Sequence, residues 1–300
     1  MEILLIDVDS KIPNLALMKI SSYHKKLGDH VGFNISDPDR VYASIVFTEN
    51  KWKGNGIKKM YPNVSVVIGG SGYALKKELS DDIEHMIPDY DLYNIDYSMG
   101  FTTRGCIRKC PFCIVPQKEG KLRPHCTIFE FWNTKHKHIM LLDNNILADH
   151  DHFNIIAQQI MDNNLSVDFN QGLDIRLIND VNANILSELR VKPDYRFAWD
   201  NPNDEQVIKE KIKILKDHNI NHCLFYVLVG FNTTQEQDLH RLQVLKELDQ
   251  RPYVMRYKSC NGNRWYNDLA SWANQQRFFM KMDFDHYCKC RHNRLIKIEG

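Results

Sequence analysis

The sequence predicts an α/β fold: a small N-terminal parallel sheet, a partial β/α barrel of six units, and a C-terminal helical extension. Three observations carry that expectation. Short apolar runs of strand length alternate with stretches whose apolar residues recur at helical spacing, the pattern of parallel sheets crossed by helices. From Tyr97 the alternation repeats about every 25 to 30 residues. The later runs end in polar or charged residues, as strands do when they line one rim of a barrel. The organisation that follows is 1–92, 93–258 and 259–300.

Residues 3–8, ILLIDV, read as a short buried strand. Pro13-Asn14 then opens a helical pattern with Ala16, Leu17, Ile20, Tyr23, His24 and Leu27 on one side, ended by Gly28. Strands are expected at 41–47 and 64–68, the second running into Gly69-Gly70-Ser71-Gly72. Position 75 is Leu, so a G-x-G-x-x-G phosphate loop is not met, and a tight turn with close backbone approach is expected instead. In the barrel region the strands are 97–101, 139–142, 167–169, 195–199, 223–229 and 253–257, with a helix near 128–132 before the second. Between them Phe153, Ile156 and Ile160 share one helical face, and Val181, Ile185 and Leu189 another. Ile208, Ile212 and Leu215 form a third, opened by Asn203 with Gln206 as a capping box, and Leu239, Leu242, Leu245 and Leu248 a fourth, opened by Thr233 with Glu236. Beyond Lys258, the residues Leu269, Trp272, Ala273, Gln276, Phe279 and Met280 predict one aromatic-rich helix.

The chemistry is concentrated in TTRGCIRKCPFCIVP, residues 102–116, where Cys106, Cys110 and Cys113 stand in the spacing C-x3-C-x2-C. Three thiolates within eight residues, on a loop carrying Gly105 and Pro111, make a compact soft-ligand site suited to an iron–sulfur cluster or to zinc. A four-iron cluster held by three cysteines leaves one iron open to a small molecule, whereas structural zinc wants four protein ligands. His125 or Cys126 could supply a fourth, but zinc motifs usually come as two close pairs, and no second pair follows. Cys260, Cys288 and Cys290, with Cys223 or Cys126, would make an auxiliary cluster only from a C-x-C and distant singles; adventitious cysteines are the default. Five histidines from His125 to His152 lack i, i+4 pairing and read as surface or pocket residues.

Lys and Arg total 39 against 38 Asp and Glu, a net charge of +1, so nucleic acid is not indicated by net charge. Lys118, Lys121 and Arg123 read as a solvated loop rather than a basic patch. No apolar run reaches membrane-spanning length, and acidic residues beside the first apolar run are wrong for a signal peptide; a cytoplasmic protein with no membrane is expected. In a reducing compartment, clustered cysteines favour metal or catalysis over disulfides.

With Phe112 just before Cys113, the motif is C-x3-C-x-F-C, and here the chain resembles the radical S-adenosylmethionine (radical SAM) superfamily, whose signature is C-x3-C-x-aromatic-C. The resemblance implies an enzyme with an open six-unit barrel, in which Cys106, Cys110 and Cys113 hold a four-iron four-sulfur cluster (4Fe–4S). It implies S-adenosyl-L-methionine bound at the open iron, cleaved with one electron to a 5′-deoxyadenosyl radical that abstracts hydrogen from an unidentified substrate. A flavodoxin- or ferredoxin-like one-electron reductant is the implied partner, and oxygen sensitivity the implied liability.

The same resemblance assigns the strand ends. Asp143-Asn144-Asn145 stands where the family holds the amino group of SAM; Gln171, Asp200 and Asn201 fall where ribose and carboxylate contacts are made, and Gly230 where backbone approaches adenine. Arg176 offers the SAM carboxylate a planar fork. Residues 1–92 resemble a reduced, Rossmann-like version of the cobalamin-binding domain that precedes the barrel in one branch of the superfamily, through Pro-Asn-x-Ala-Leu, Lys-x-Leu-Gly-Asp-His-Val and Ile68-Gly69-Gly70. No D-x-H-x-x-G occurs, which weighs against cobalamin, although that branch includes members without it. A cobalamin-dependent radical SAM methyltransferase is the alternative within the class, and a zinc-bearing nucleic-acid-binding or scaffold protein the alternative outside it. Methylthio transfer is excluded because residues 1–105 contain no cysteine for a second cluster.

Overall fold

A computed structural model describes residues 1–299, and the chain is α/β with parallel sheets. It divides into two compact units, Met1–Asn144 with Gln158–Asp168, and Asn145–Ala157 with the chain from Phe169 onward. Among the described residues, no helix is long and apolar enough to cross a membrane.

The first unit opens with β1 (Glu2–Asp7), α1 (Leu15–Lys26), β2 (His30–Gly32), β3 (Arg40–Ser44), α2 (Lys53–Met60) and β4 (Ser65–Gly69). The sheet is parallel with order β2-β1-β3-β4. Alternation along β1 divides its side chains between two faces. Ile3 and Leu5 pack with Leu17 and Ile20 of α1, while Leu4 packs with Val41, Ala43, Ile68 and Ile57 of α2. The sheet is therefore covered by a helix on each face. Asn14 caps α1 by accepting from the Leu17 N–H at 3.1 Å and donates 2.8 Å to Ser44 Oγ at the end of β3. The glycine run after β4 lies against backbone as expected: a Cβ on Gly70 would stand 2.3 Å from the Ile45 carbonyl oxygen.

Two expectations are corrected here. The strand expected at 41–47 ends at Ser44, because the Val46 and Phe47 N–H groups turn away to the Asp9 carboxylate at 2.7 and 3.1 Å. The three-residue β2 was too short to register as a periodic run. Leu27, placed on the inner side of α1, is the cap residue and is 59% exposed.

The chain continues through α3 (Asp81–Glu84), β5 (Ser98–Gly100), β6 (Thr103–Arg104), α4 (Val115–Lys118), β7 (Arg123–Pro124) and β8 (His138–Leu141), all of the first unit, then α5 (His150–Asp162), divided between the two units, and β9 (Ser166–Phe169). β5 pairs parallel with β8, and β9 flanks β8. The helix expected near 128–132 is a single 3-10 turn, Ile128–Glu130. Met18, Tyr90, Met99 and Leu142 form a common core beneath β5.

The second unit holds α6 (Asp180–Glu188), β10 (Arg190–Val191), β11 (Arg196–Ala198), α7 (Glu205–Asp217), β12 (Leu224–Val229), α8 (Gln235–Glu247), β13 (Arg251–Arg256), α9 (Arg264–Ala273), α10 (Gln276–Phe279) and α11 (Phe284–Glu299). Its sheet is parallel, ordered β11-β12-β13, around Phe197, Phe225, Val227 and Val254. Pro252 sits inside β13 because β13 is an edge of this sheet, where a missing N–H is tolerated. Asn274 finishes that edge like a strand residue, accepting from Val254 N–H at 2.6 Å and donating 3.2 Å to its carbonyl. This contact breaks the helix expected through Met280 into α9 and α10.

Three helix expectations shift. In α6 the buried residues are Asn182, Ala183 and Leu186, and Val181 is 69% exposed; the capping box of Asn179 with Asn182 rotates the helix onto that face. α7 begins one residue later than its expected box, with no side-chain cap, since the Asn203 N–H is taken by Asn201. α8 is boxed by Thr234 and Gln237, freeing Thr233 to accept from Gly230 N–H at 3.2 Å.

α8 carries an ion pair on its buried face. Arg241 and Asp238 are both fully buried and meet at 2.5 Å. Arg241 also donates to the Trp199 and Leu228 carbonyls at 2.6 and 2.8 Å, and Asp238 accepts from Gly230 N–H at 2.9 Å and Tyr266 Oη at 3.1 Å. One pair thus ties the ends of β11 and β12 to α8 and α9. Removing one partner of such a pair leaves a buried charge uncompensated. Arg241→Met is expected to cost about 3–5 kcal/mol in urea denaturation, whereas Val181→Ala should fall within about 0.5 kcal/mol of the parent.

Candidate metal centre and strand-end residues

The three cysteines lie on a loop, residues 105–122, closed at its base like a purse. The neck is the antiparallel pair β6–β7, with Thr103 opposite Pro124 and Arg104 opposite Arg123. Gly105 stands at the closure with φ +80°, and a Cβ there would meet the Lys121 carbonyl oxygen at 2.2 Å, so only glycine lets the two sides approach. Inside the loop Cys113 N–H bonds the Cys110 carbonyl at 3.0 Å, and Cys106 N–H the Gly120 carbonyl at 3.3 Å.

All three cysteines are half-buried. The Arg108 N–H points at Cys106 Sγ at 3.3 Å and the Val115 N–H at Cys113 Sγ at 3.5 Å. Backbone amides are thus directed at two of the three sulfurs. Phe112 is half-buried between the second and third cysteines.

Two carboxylates fix the loop. Asp143, buried just past β8, accepts from Thr102 N–H at 3.1 Å, Thr102 Oγ1 at 2.9 Å, Thr103 Oγ1 at 2.5 Å and the Thr103 N–H. Burial pushes its carboxyl upward against these donors. Glu119, within the loop, accepts from Gly105 N–H and from Asn144 Nδ2, both at 2.9 Å. Asp143 and Asn144 therefore both serve the base of the cysteine loop.

A third carboxylate, Glu84 of α3, gathers two cations and a histidine. Lys19 Nζ lies 3.1 Å away, Arg104 Nη2 2.6 Å and His125 Nε2 3.2 Å, and Lys19 also donates to the Glu84 carbonyl. Burial alone would raise Glu84, but the His125 hydrogen bond and the charges of Lys19 and Arg104 outweigh it and hold the carboxyl well below the usual range. Arg104 lies in the neck and His125 directly follows it, so Glu84 anchors both sides of the purse.

The residues that could complete a four-ligand zinc site are engaged elsewhere. His125 bonds Glu84. Cys126 donates its thiol to the Phe101 carbonyl at 3.0 Å, and burial pushes that thiol up to about 12. Of the remaining cysteines, Cys223 and Cys260 are buried, with Cys260 Sγ directed at the Val229 carbonyl at 3.5 Å, and Cys288 and Cys290 lie on α11. His136 and His138 bond Ser98 and Ser166, each at 3.0 Å.

In the second unit the strand-end residues form two groups. Asp174 accepts from Arg176 Nε at 2.8 Å and from Asn145 Nδ2 at 3.2 Å, while Arg176 Nη1 reaches Asp204 at 3.3 Å. Asn201 caps the turn Pro202–Asp204, and Asp200 accepts the Leu228 N–H at 3.0 Å, its carboxyl raised by burial. Gly230 forms the other group with φ +73°; a Cβ there would stand 2.1 Å from Cys260 Sγ. Gln171 is exposed.

At the carboxyl edge of the N-terminal sheet, Asp7 accepts from Tyr93 Oη at 2.6 Å and Asp9 is spent on the turn after β3. His24 and His30 stand at the opposite edge, bonded to Asp29 and Glu2, each at 2.7 Å. Neither is placed as a cobalt ligand at the edge where such a sheet binds its ligands.

Sequence reasoning missed Glu84, Glu119, Asp238 and Arg241. The last two carried a signal, since opposite charges at i, i+3 interrupt a leucine stripe. Glu84 and Glu119 are read only from the fold. No protein-family model matches the chain, and no curated protein matches it.

Because Glu84 is lowered in the fold, its contribution is present above the ordinary glutamate value of about 4.3 and is lost as pH falls below it. The stability gap between the parent and Glu84→Gln should be widest near neutral pH and narrow toward pH of about 3. In the variant, amide exchange should quicken on both sides of the neck; equal gaps at both pH values would show that the charge does not hold it.

Proposed function

We propose that this chain is a radical SAM enzyme whose cluster is held by Cys106, Cys110 and Cys113. The observation that carries the reading is the closed loop itself: three half-buried sulfurs in the spacing C-x3-C-x-F-C, with backbone N–H groups directed at two of them. Its donor set fits a 4Fe–4S cluster with three protein ligands. The commitments of His125 and Cys126 favour this reading over zinc.

The reading includes a partial (β/α)6 barrel built from the parallel strands β5, β8, β9, β11, β12 and β13. When bound, such a cluster with S-adenosylmethionine supplies the electron that splits the sulfonium and the 5′-deoxyadenosyl group that takes hydrogen from substrate. The protein's share is positioning. Asp143, Glu119 and Glu84 hold the base of the loop that carries the three cysteines. Phe112, Asn144, Asn145, Gln171, Arg176, Asp200, Asn201 and Gly230 are the candidates for contact with the nucleoside and amino-acid ends of the ligand. The half-buried setting of the cysteines limits water at the site while leaving an approach for a reductant.

Purified without oxygen, the protein should be brown, carry about four iron and four sulfide per chain, and release 5′-deoxyadenosine from S-adenosylmethionine with a reductant. Cys106→Ala should lose both iron and cleavage. A colourless protein with bound zinc, or a Cys106→Ala variant that still forms 5′-deoxyadenosine, would overturn the reading.

A further inference from the structure

The segment 51–60, KWKGNGIKKM, is locally basic in a nearly neutral chain. It carries Lys51, Lys53, Lys58 and Lys59, and Glu49 is the one acid in residues 47–61. The neighbouring Asp9 is spent on the Val46 and Phe47 N–H groups and Asn50. Of the five tryptophans, Trp199 and Trp272 are 1% exposed, Trp132 and Trp265 are half-buried, and Trp52 is 70% exposed. Met60 is equally exposed. The fold makes no use of this indole, yet sets Lys53 Nζ 5.9 Å from its centroid.

Trp52 has helical backbone angles, so it continues α2 and shares a stripe with Asn55, Gly56 and Lys59 at i+3, i+4 and i+7. All four are exposed. Gly54 has a packing reason, since a Cβ there would stand 2.5 Å from the Tyr73 ring. Gly56 has none: its Cβ would meet open space, and its φ is not left-handed. A glycine at an exposed helix position sacrifices helix stability relative to alanine. What it leaves is an unobstructed surface beside an exposed indole that has the Lys53 ammonium over its ring, with Lys51, Lys58 and Lys59 on the same short segment.

We infer that the outer face of α2 is a docking surface for single-stranded nucleic acid, with a base stacked on Trp52 and phosphates on Lys51, Lys53, Lys58 and Lys59. Stacking on an exposed aromatic with a cationic track beside it is how such strands are held without sequence readout. An anionic membrane fits less well, because an interfacial helix turns a broad apolar face outward, whereas the apolar Ile57 of α2 faces the sheet. The inference stands apart from the cluster assignment, so either can fail alone.

The test titrates the full chain with an oligothymidylate of about 12 nucleotides, following tryptophan fluorescence, with vesicles of anionic phospholipid in a parallel arm. Expected are quenching by the oligonucleotide and affinity that falls with salt at a log–log slope of about −2 to −3. Trp52→Ala should bind about 5- to 150-fold more weakly, Trp52→Phe should retain most of the affinity, and Lys58→Glu/Lys59→Glu should flatten the slope. Gly56→Gln should raise the melting temperature while weakening binding. Equal affinity of the parent and Trp52→Ala, or binding to vesicles with none to the oligonucleotide, would overturn it; circular dichroism of each variant establishes that it is folded.

Discussion

Two amides and two hydroxyls, those of Thr102 and Thr103, converge on the buried carboxylate of Asp143. Everything proposed for the cysteine loop depends on this convergence. The chain leaving β5 has finished its ladder bonds, and its next amides would be orphaned in a buried place without an acceptor. Asp143 supplies one from the end of the neighbouring strand, and so fixes the direction in which the loop departs.

The device recurs. Asp9, Asp143 and Asp200 each stand two residues past the end of a strand, β1, β8 and β11 respectively. Each accepts backbone N–H groups from the strand paired alongside: Val46 and Phe47 after β3, Thr102 and Thr103 after β5, and Leu228 of β12. Parallel strands end in register with unsatisfied amides on one side, and an aspartate at this offset meets them with its side-chain oxygens. Asp238 does a similar service for Gly230 from a helix rather than a strand.

This recurrence explains what was legible in the sequence. The alternation of strands and helices could be read because it rests on apolar periodicity, which both faces of β1 obey. The grouping of three cysteines in eight residues was plain in the sequence, and the fold carries them on one loop closed by β6 and β7. Strand-end polarity was visible too, but it has two sources that look alike in a sequence, since Asp9 and Asp143 make the same bonds in different sheets. What escaped notice was set by single long-range bonds. Val46 and Phe47 look like strand until Asp9 claims their amides, and Asn274 looks helical until it pairs with Val254. Capping boxes slipped by one residue in α8, where Thr233 and Thr234 compete and only the tertiary contact to Gly230 chooses between them.

The Glu84 cluster bears on how freely this architecture can be divided. Lys19 belongs to the first helix and Glu84 to the third, while Arg104 and His125 flank the purse. A fragment begun at residue 93 would carry Arg104 and His125 without the Glu84 carboxylate that gathers them. Arg104 would then rely on Glu119, whose Oε1 lies 3.7 Å from its Nη1, and His125 would lose its carboxylate partner. The segment before residue 93 thus supplies the acidic partner to which both sides of the cysteine loop's neck are bonded.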